Sequence, residues 1–307
     1  MTETIRLSHS SGTQMNLCPR RVLFESKLRL FSINGDMSLR YGQGYHKAQE
    51  AYYKHGKNIT KGLEAAVEFW NKPTKQIYDE ADYRNIQSLC TALMQYDERY
   101  RLDLEAMTGE PETKVIATIL LTDEEKAIYG DIEVNFVEVI DLILEIDGCK
   151  WITDFKTTKS DLPYMASMLR KMVQLMGYHY VAQRLFPDVS GCLVDYHQIK
   201  AVKSRSTGFY GETKIDFMKF PMIFPSHDYK NWRRYVIWNA AKFRIAEKAG
   251  YPPEAGSCYA FNKTCPYLPL CEYPKWDIDR FMEMKGFVVV PDDREHKEAI
   301  RVIMPMA

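Results

Sequence analysis

The chain has 307 residues, 46% of them hydrophobic, enough to bury a sizeable core as one large domain or two small ones. Its 41 basic and 41 acidic residues give a formal net charge of zero. That balance speaks against a protein that coats nucleic acid over its whole surface, while leaving room for a local basic groove. Well-mixed charge excludes a disordered chain, and no apolar run approaches the roughly 18 residues of a membrane span. The opening "MTETIRLSHSSGTQMNLCPRR" has no apolar segment of the kind a secretory signal needs. An intracellular, cytoplasmic protein with no membrane partner is therefore expected. In a reducing compartment its seven Cys residues read as thiols or metal ligands rather than disulfides.

In chain order, residues 8–31 read as a cap followed by a helix, with Ser10, Ser11 and Thr13 available before "QMNLCPRRVLFESKLRLF". A second helix starts near Gly42 and ends at Gly56. Two more follow, around "TKGLEAAVEFW" and "EADYRNIQSLCTALMQYDERYRLD". The pattern then changes. "ETKVIATILLT" (112–122) is rich in β-branched residues and reads as a strand. "NFVEVIDLILEID" and "KWITDFKTT" form a hairpin across Asp147-Gly148, a favoured turn dipeptide. "PYMASMLRKMVQLMGYHYVAQRLF" reads as one long amphipathic helix, followed by strands at "GCLVDYHQIKAV" and "ETKIDFMKFPMIF". A last long helix, "DYKNWRRYVIWNAAKFRIAEKAG", ends at Gly250. This order predicts an α/β domain with a mixed sheet. The part after 251 is Pro-rich, Cys-bearing and without periodicity, and the tail "FMEMKGFVVVPDDREHKEAIRVIMPMA" has no assignment.

The hairpin places charge where packing asks for none. Residues two apart on a strand share a face, so Asp154 and Lys156 point together while Phe155 points into the core. Asp141 lies on the partner strand beside them. Two carboxylates converging in a partly dry site repel unless a cation lies between them, and carboxylates with backbone carbonyls suit Mg²⁺ or Mn²⁺. A lysine beside that metal can orient a water or stabilise charge on a phosphate. The plain alternative is an ordinary surface ion pair. Two other places bear on the choice. Gln174 and Tyr178 in "QLMGY" stand one helical turn apart, and His46 in "YGQGYHKAQ" opens a helix just after two glycines.

The order Gly42/His46, Asp141, Asp154/Lys156, Gln174/Tyr178 resembles the PD-(D/E)XK nuclease superfamily, in particular its RecB-like exonuclease branch. The family pattern is a Gly-x-x-x-His helix start, a strand Asp, Asp-x-Lys, then Gln-x-x-x-Tyr. One departure is the "EVID" before Asp141, where the family often has Gly. The resemblance covers most of residues 8–275 and implies a restriction-endonuclease-like core. Its central mixed sheet would be flanked by helices, with a helical N-terminal part over about 8–108 and a catalytic core over about 110–250. Residues 1–275 would form this one domain and 276–307 a tail. It implies that His46, Asp141 and Asp154, with the carbonyl of Phe155, ligate a divalent metal. Lys156 would position the attacking water, and Gln174 and Tyr178 would support the site and contact the nucleic-acid backbone. The expected activity is Mg²⁺- or Mn²⁺-dependent DNA hydrolysis by an exonuclease of repair, recombination or phage DNA metabolism. Its substrate would be single-stranded DNA or duplex ends. The alternative is a DNA-binding or assembly subunit that keeps the fold without cutting.

Cys258, Cys265 and Cys271 cluster in "SCYAFNKTCPYLPLC", and Cys18 sits in "LCPRR". Three clustered Cys and a distant fourth can close a four-thiolate site; the alternative is buried apolar Cys, as expected of Cys90, Cys149 and Cys192. The arrangement is similar to the iron–sulfur clasp of RecB-like exonucleases such as AddB and the CRISPR-associated branch. That likeness implies a 4Fe–4S cluster, with zinc as the alternative, stapling a clasp at 251–275 onto Cys18 and closing a loop of about 240 residues. For DNA, Lys200, Lys203, Arg205 and Lys214 gather around Gly and aromatic residues, Arg20 and Arg21 flank Cys18, and Arg233 and Arg234 interleave with Trp and Tyr. A solvated helix face and a hairpin tip are the bland alternatives.

Overall fold

The computed structural model describes residues 2–103, 105–107, 111–169, 172–259, 264–272, 286–290 and 298–306. A short strand, β1 (Glu3–Leu7), precedes helix α1 (His9–Leu17). The cap of α1 is Ser8 rather than the later hydroxyls. Its side chain accepts the Ser11 N–H, and Ser11 Oγ accepts the Ser8 N–H in return. The single helix expected over 8–31 is broken, because Pro19 lacks the N–H that would continue it. Pro19 instead opens α2 (Pro19–Val22), which runs into a π-turn at Leu23–Lys27 and strand β2 (Leu30–Ser32). Asp36 caps α3 (Met37–Lys54) and Asn58 caps α4 (Ile59–Asn71). Asn85 and Ser88 form a capping box for α5 (Ile86–Tyr100), so that helix begins after "EADYRN" and not within it.

Strands β3 (Glu105–Met107) and β4 (Thr113–Ile119) follow, then α6 (Asp123–Tyr129), which the sequence reading omitted. Next come β5 (Ile132–Ile140), β6 (Leu142–Ile146) and β7 (Cys149–Thr158). Asp147 and Gly148 both take positive φ, 51° and 75°, the backbone of a two-residue turn matched to strand twist. The long helix expected after β7 is two helices, α7 (Leu162–Met168) and α8 (Val173–Ala182); Arg170 and Lys171 between them lie outside the described residues. Strands β8 (Val189–Lys200) and β9 (Lys214–Met222) and helix α9 (Ser226–Lys248) complete the expected order, and a short helix not expected there, α10 (Leu268–Glu272), lies in the Cys-bearing segment. The unassigned tail contributes β10 (Phe287–Val289) and β11 (Ala299–Met304).

The strands form a mixed α/β architecture. One sheet runs β1-β5-β4-β11, with both outer strands parallel to their neighbours and an antiparallel centre. The other runs β3-β6-β7-β8-β9, antiparallel except for the β7–β8 pair. β10 pairs with β2. The chain passes from the first sheet to the second at Asp141, the one residue between β5 and β6.

Alternation then sorts β7 onto two faces. Ile152 joins an apolar core with Phe136, Leu175, Tyr178, Tyr196 and Trp232, whereas Phe155 joins a second core with Tyr41, Tyr45, Tyr53 and Tyr96 from α3 and α5. Asp154 and Lys156 share the face of Ile152, toward α8.

Arg233, one of the basic residues expected to track phosphate, is instead a core residue of α9. It is 2% exposed, pairs with Glu125 and donates to the Leu120 carbonyl. Burial of a guanidinium holds only while both acceptors are present. Arg233→Met is therefore expected to destabilise the fold by about 2 kcal/mol or more, read as a lower urea midpoint. An unchanged midpoint would contradict that role.

Candidate active site

The site is assembled from three elements that meet at the Asp141 corner. β6 and β7 pair Leu142 with Thr153 and Ile143 with Ile152, and continuing that register by one residue sets Asp141 opposite Asp154. On α3, Gly42 lets the helix approach β7: a Cβ there would stand 3.2 Å from Thr157 Oγ1. One turn later His46 Nδ1 lies 3.1 Å from Asp141 Oδ2, and the same oxygen accepts the Phe155 N–H at 3.3 Å. Across the hairpin, Lys156 Nζ donates to Asp154 Oδ1 at 2.9 Å and to Gln174 Oε1 at 3.1 Å. Gln174 Nε2 in turn donates to Tyr178 Oη at 2.8 Å. The residues picked out by the sequence thus come together: His46, Asp141, Phe155, Asp154, Lys156, Gln174 and Tyr178 form one connected group. Asp154 and Lys156 are an ion pair, as the plain alternative held, but Asp154 is 1% exposed.

Electrostatics follow from that burial. For Asp154, burial and then the Asp141 charge push the carboxyl up, against the pull of Lys156. Asp141 goes the other way: burial is outweighed by His46, Lys156 and the Phe155 N–H, and its carboxyl falls below the usual range. Burial would lower His46 and Lys156, yet the Asp141 and Asp154 charges raise both. Asp154 Oδ2 is buried with no hydrogen-bond partner. Two carboxylates, an imidazole and an unmet oxygen fit a hard divalent cation, although among the described residues no three His, Cys, Asp or Glu side chains form a group ready to hold a metal ion. Lys156 pairs with Asp154 and His46 with Asp141.

Three neighbours escaped the sequence reading. Glu138 on β5 is 4% exposed and feels Asp154 as the strongest charge near it. The signal was available: it breaks the inward alternation of Ile132, Val134, Phe136 and Ile140. Tyr196 lies beside Lys156 in the β7–β8 register with its hydroxyl buried and unpartnered. An aromatic in a strand carries no such signal. His9, the first residue of α1, is pulled down to about 4 by burial and then by Lys156.

Residues expected to contact DNA divide. Tyr178 is 5% exposed and its hydroxyl serves Gln174, so it is a support of the site, not an open contact. Arg20 donates to the Tyr251 carbonyl and Arg21 pairs with Glu25. Lys200 pairs with Asp161, and Lys203 lies over the Tyr210 ring. The β8–β9 tip itself is open, with Arg205 exposed and Phe209 74% exposed.

The cysteines occupy one region. Cys18 Sγ accepts the Glu254 N–H, Cys258 Sγ donates to the Glu254 carbonyl, and the Cys265 N–H donates to the Cys258 carbonyl. Burial pushes the Cys271 thiol up; Arg20 opposes this, and Cys18 and Cys265 add to it. Cys265 and Cys271 pack against Phe24, Leu30, Tyr267 and Leu270. Elsewhere, Cys192 is buried as expected, whereas Cys90 is half-buried and Cys149 exposed.

The family model of the PD-(D/E)XK nuclease superfamily matches residues 6–272. The chain belongs to that superfamily. No curated protein matches it. A solved structure described as "Crystal structure of SSO0001" is similar at 14% identity and a TM-score of 0.28, with 89% of this chain and 84% of that chain covered. Membership in the PD-(D/E)XK nucleases implies a metal-dependent nuclease acting on nucleic acid. Among the described residues no helix is long and apolar enough to cross a membrane.

His46 carries a sign-specific consequence. A raised histidine pKa means its ion pair stabilises the metal-free fold fully at pH below the unfolded value, and that contribution is lost as pH rises through the folded value. By NMR titration of metal-free protein, His46 is expected to titrate above 6.5. In Asp141→Asn, where burial and Lys156 lower it and Asp154 alone raises it, it should fall relative to the wild type. A midpoint indifferent to Asp141→Asn would contradict the pairing.

Proposed function

We propose that this PD-(D/E)XK protein is a Mg²⁺- or Mn²⁺-dependent deoxyribonuclease of the RecB-like branch. It would act as an exonuclease on DNA ends or single strands in repair, recombination or phage DNA metabolism. The observation that carries this reading is the opposition of half-buried Asp141 and buried Asp154, with Lys156 held by Gln174, whose amide in turn donates to Tyr178. A divalent ion bound by His46, Asp141, Asp154 and the Phe155 carbonyl would supply Lewis acidity for water activation and for the charge on phosphate oxygens. Lys156, fixed by two acceptors, orients the attacking water and faces the developing negative charge. The open β8–β9 tip, with Lys203 and Arg205 beside exposed Phe209, suits a phosphate backbone and a stacked base.

The second reading, a DNA-binding subunit that does not cut, is favoured by the absence of a ready metal group among the described residues. It gives no reason for two opposed acids at a buried corner. With end-labelled DNA and Mg²⁺ or Mn²⁺, cleavage is expected in the wild type and a loss of about a hundredfold or more in Asp154→Ala and in Lys156→Ala. Robust cleavage by both variants would remove the site assignment. DNA binding without turnover in either metal would favour the second reading.

We further propose that Cys18, Cys258, Cys265 and Cys271 hold a 4Fe–4S cluster that staples the N-terminal part to the segment after α9. The contacts of Cys18 and Cys258 with Glu254, the Cys265–Cys258 backbone bond and the influence of Cys18 and Cys265 on Cys271 support this. Anaerobically purified protein should be brown and iron-loaded, and Cys18→Ser should lose both properties. A colourless, zinc-loaded protein would replace iron–sulfur by zinc, and a metal-free one would return these cysteines to packing roles.

A further inference from the structure

The connection between β8 and β9 carries two apolar side chains that packing leaves uncovered. Val202 is 83% exposed and Phe209 74% exposed. A single exposed apolar residue needs no explanation, but these two lie together. Lys203 and Tyr210 form an antiparallel bridge, with the Ser204 N–H donating to the Phe209 carbonyl and the Gly211 N–H to the Val202 carbonyl. Residues directly opposite in an antiparallel pair share a face, and neighbours along a strand alternate. Val202, opposite Gly211, and Phe209, opposite Ser204, therefore lie on one face, with Lys203 and Tyr210 on the other. Gly211 adds no side chain to the apolar face and Ser204 only a small one, so the ring of Phe209 stands clear.

The connection is held by its own hydrogen bonds. Gly208 takes a φ of 72° and its N–H donates to the Ser204 carbonyl. Ser204 Oγ accepts the Thr207 N–H, and Thr207 Oγ1 accepts the Phe209 N–H. On the other face the Tyr210 ring packs against Tyr83 with centroids 4.9 Å apart, and Tyr83 Oη donates to the Ile199 carbonyl. Phe209 is thus presented to solvent on a braced frame, which lowers the ordering cost of binding through it.

Charge around the tip selects the partner. Residues 200–214 hold four basic side chains, Lys200, Lys203, Arg205 and Lys214, against one acid, Glu212, in a chain whose net charge is zero. Asp161 pairs with Lys200, whereas Lys203, Arg205 and Lys214 are exposed. An open ring among cations suits a nucleotide base and its phosphates, and a base offers its face only when it is unpaired. The register also separates the tip from the chemistry. Lys156 stands opposite Tyr196, and β8 runs on from there to Lys200, about 13 Å, before the tip begins.

We propose that the Val202–Phe209 face is a base-stacking platform that selects single-stranded DNA, engaging an unpaired base away from the phosphate that Lys156 faces. This rests on the nuclease reading of the Asp141–Asp154 site and adds to it a choice between single strands and duplex. The competing occupant is a protein surface, a second copy of this chain included, for which Phe209 would be an anchor without effect on DNA affinity.

The test uses full-length protein in EDTA, so that binding is read without cleavage. Fluorescence anisotropy follows labelled oligothymidylate and, separately, a labelled blunt duplex. Phe209→Ala is expected to weaken single-strand binding about tenfold and to leave duplex binding at the wild-type value. Its salt dependence, set by phosphate contacts, should match the wild type. Phe209→Trp keeps a stacking ring and should retain wild-type affinity or exceed it, and an unchanged urea midpoint in both variants excludes loss of fold. Wild-type affinity of Phe209→Ala for oligothymidylate, or an equal loss on the duplex, would overturn the platform. So would a wild type with no affinity for oligothymidylate. The nuclease reading fails separately, by the wild type leaving both DNAs uncut in Mg²⁺ or Mn²⁺, an outcome read without any change at Phe209.

Discussion

The organising constraint of this protein is the opposition of half-buried Asp141 and buried Asp154 across the β6–β7 hairpin. Like charges a few ångströms apart repel by a few kcal/mol even at an effective dielectric constant of about 20. The surroundings are built to hold them there. His46 comes in from α3 on one side, and Lys156 stands on the same strand as Asp154 on the other. Gln174 and Tyr178 then fix Lys156 from α8. Each of these contacts offsets part of the repulsion, and an oxygen of Asp154 still remains unmet.

Packing on the far face makes the arrangement rigid. Phe155, between the two functional residues of β7, is buried among Tyr41, Tyr45, Tyr53 and Tyr96. A slip of one residue would carry Phe155 to the charged face and Asp154 into that aromatic core, so the register is strongly fixed. The change of sheet at Asp141 has a related effect. Because β5 belongs to one sheet and β6 to the other, Asp141 is a corner residue: its carbonyl accepts the Glu112 N–H, and its side chain is available to a helix approaching from outside. Gly42 is what lets α3 come close enough to bring His46 to it.

Much of this was legible in the chain itself. The hairpin was visible because Asp147-Gly148 separates two β-branched runs, and the face of Asp154 and Lys156 followed from alternation alone. His46, Gln174 and Tyr178 carried little signal singly and stood out through the resemblance of the whole order to the PD-(D/E)XK pattern. What failed to show has physical reasons. Helix ends were set by Ser8, Asn85 and Pro19, single residues whose effect depends on side-chain hydrogen bonds or a missing donor. The tail strand β11 is stabilised by its pairing with β4, a partner far away in sequence, so local pattern said little. Arg233 looked like a surface cation because its acceptors, Glu125 and the Leu120 carbonyl, lie on a segment more than a hundred residues earlier. Glu138 was passed over as one more strand residue, though its inward parity marked it.

The account stands or falls on whether one cation binds between the opposed carboxylates. Anomalous scattering from crystals soaked in Mn²⁺ tests this without reference to activity. The expected result is a peak within bonding distance of both Asp141 and Asp154, with the Lys156 ammonium displaced from Asp154 but still held by Gln174. A Mn²⁺ peak bound elsewhere, with the Lys156–Asp154 and His46–Asp141 pairs intact, would contradict it.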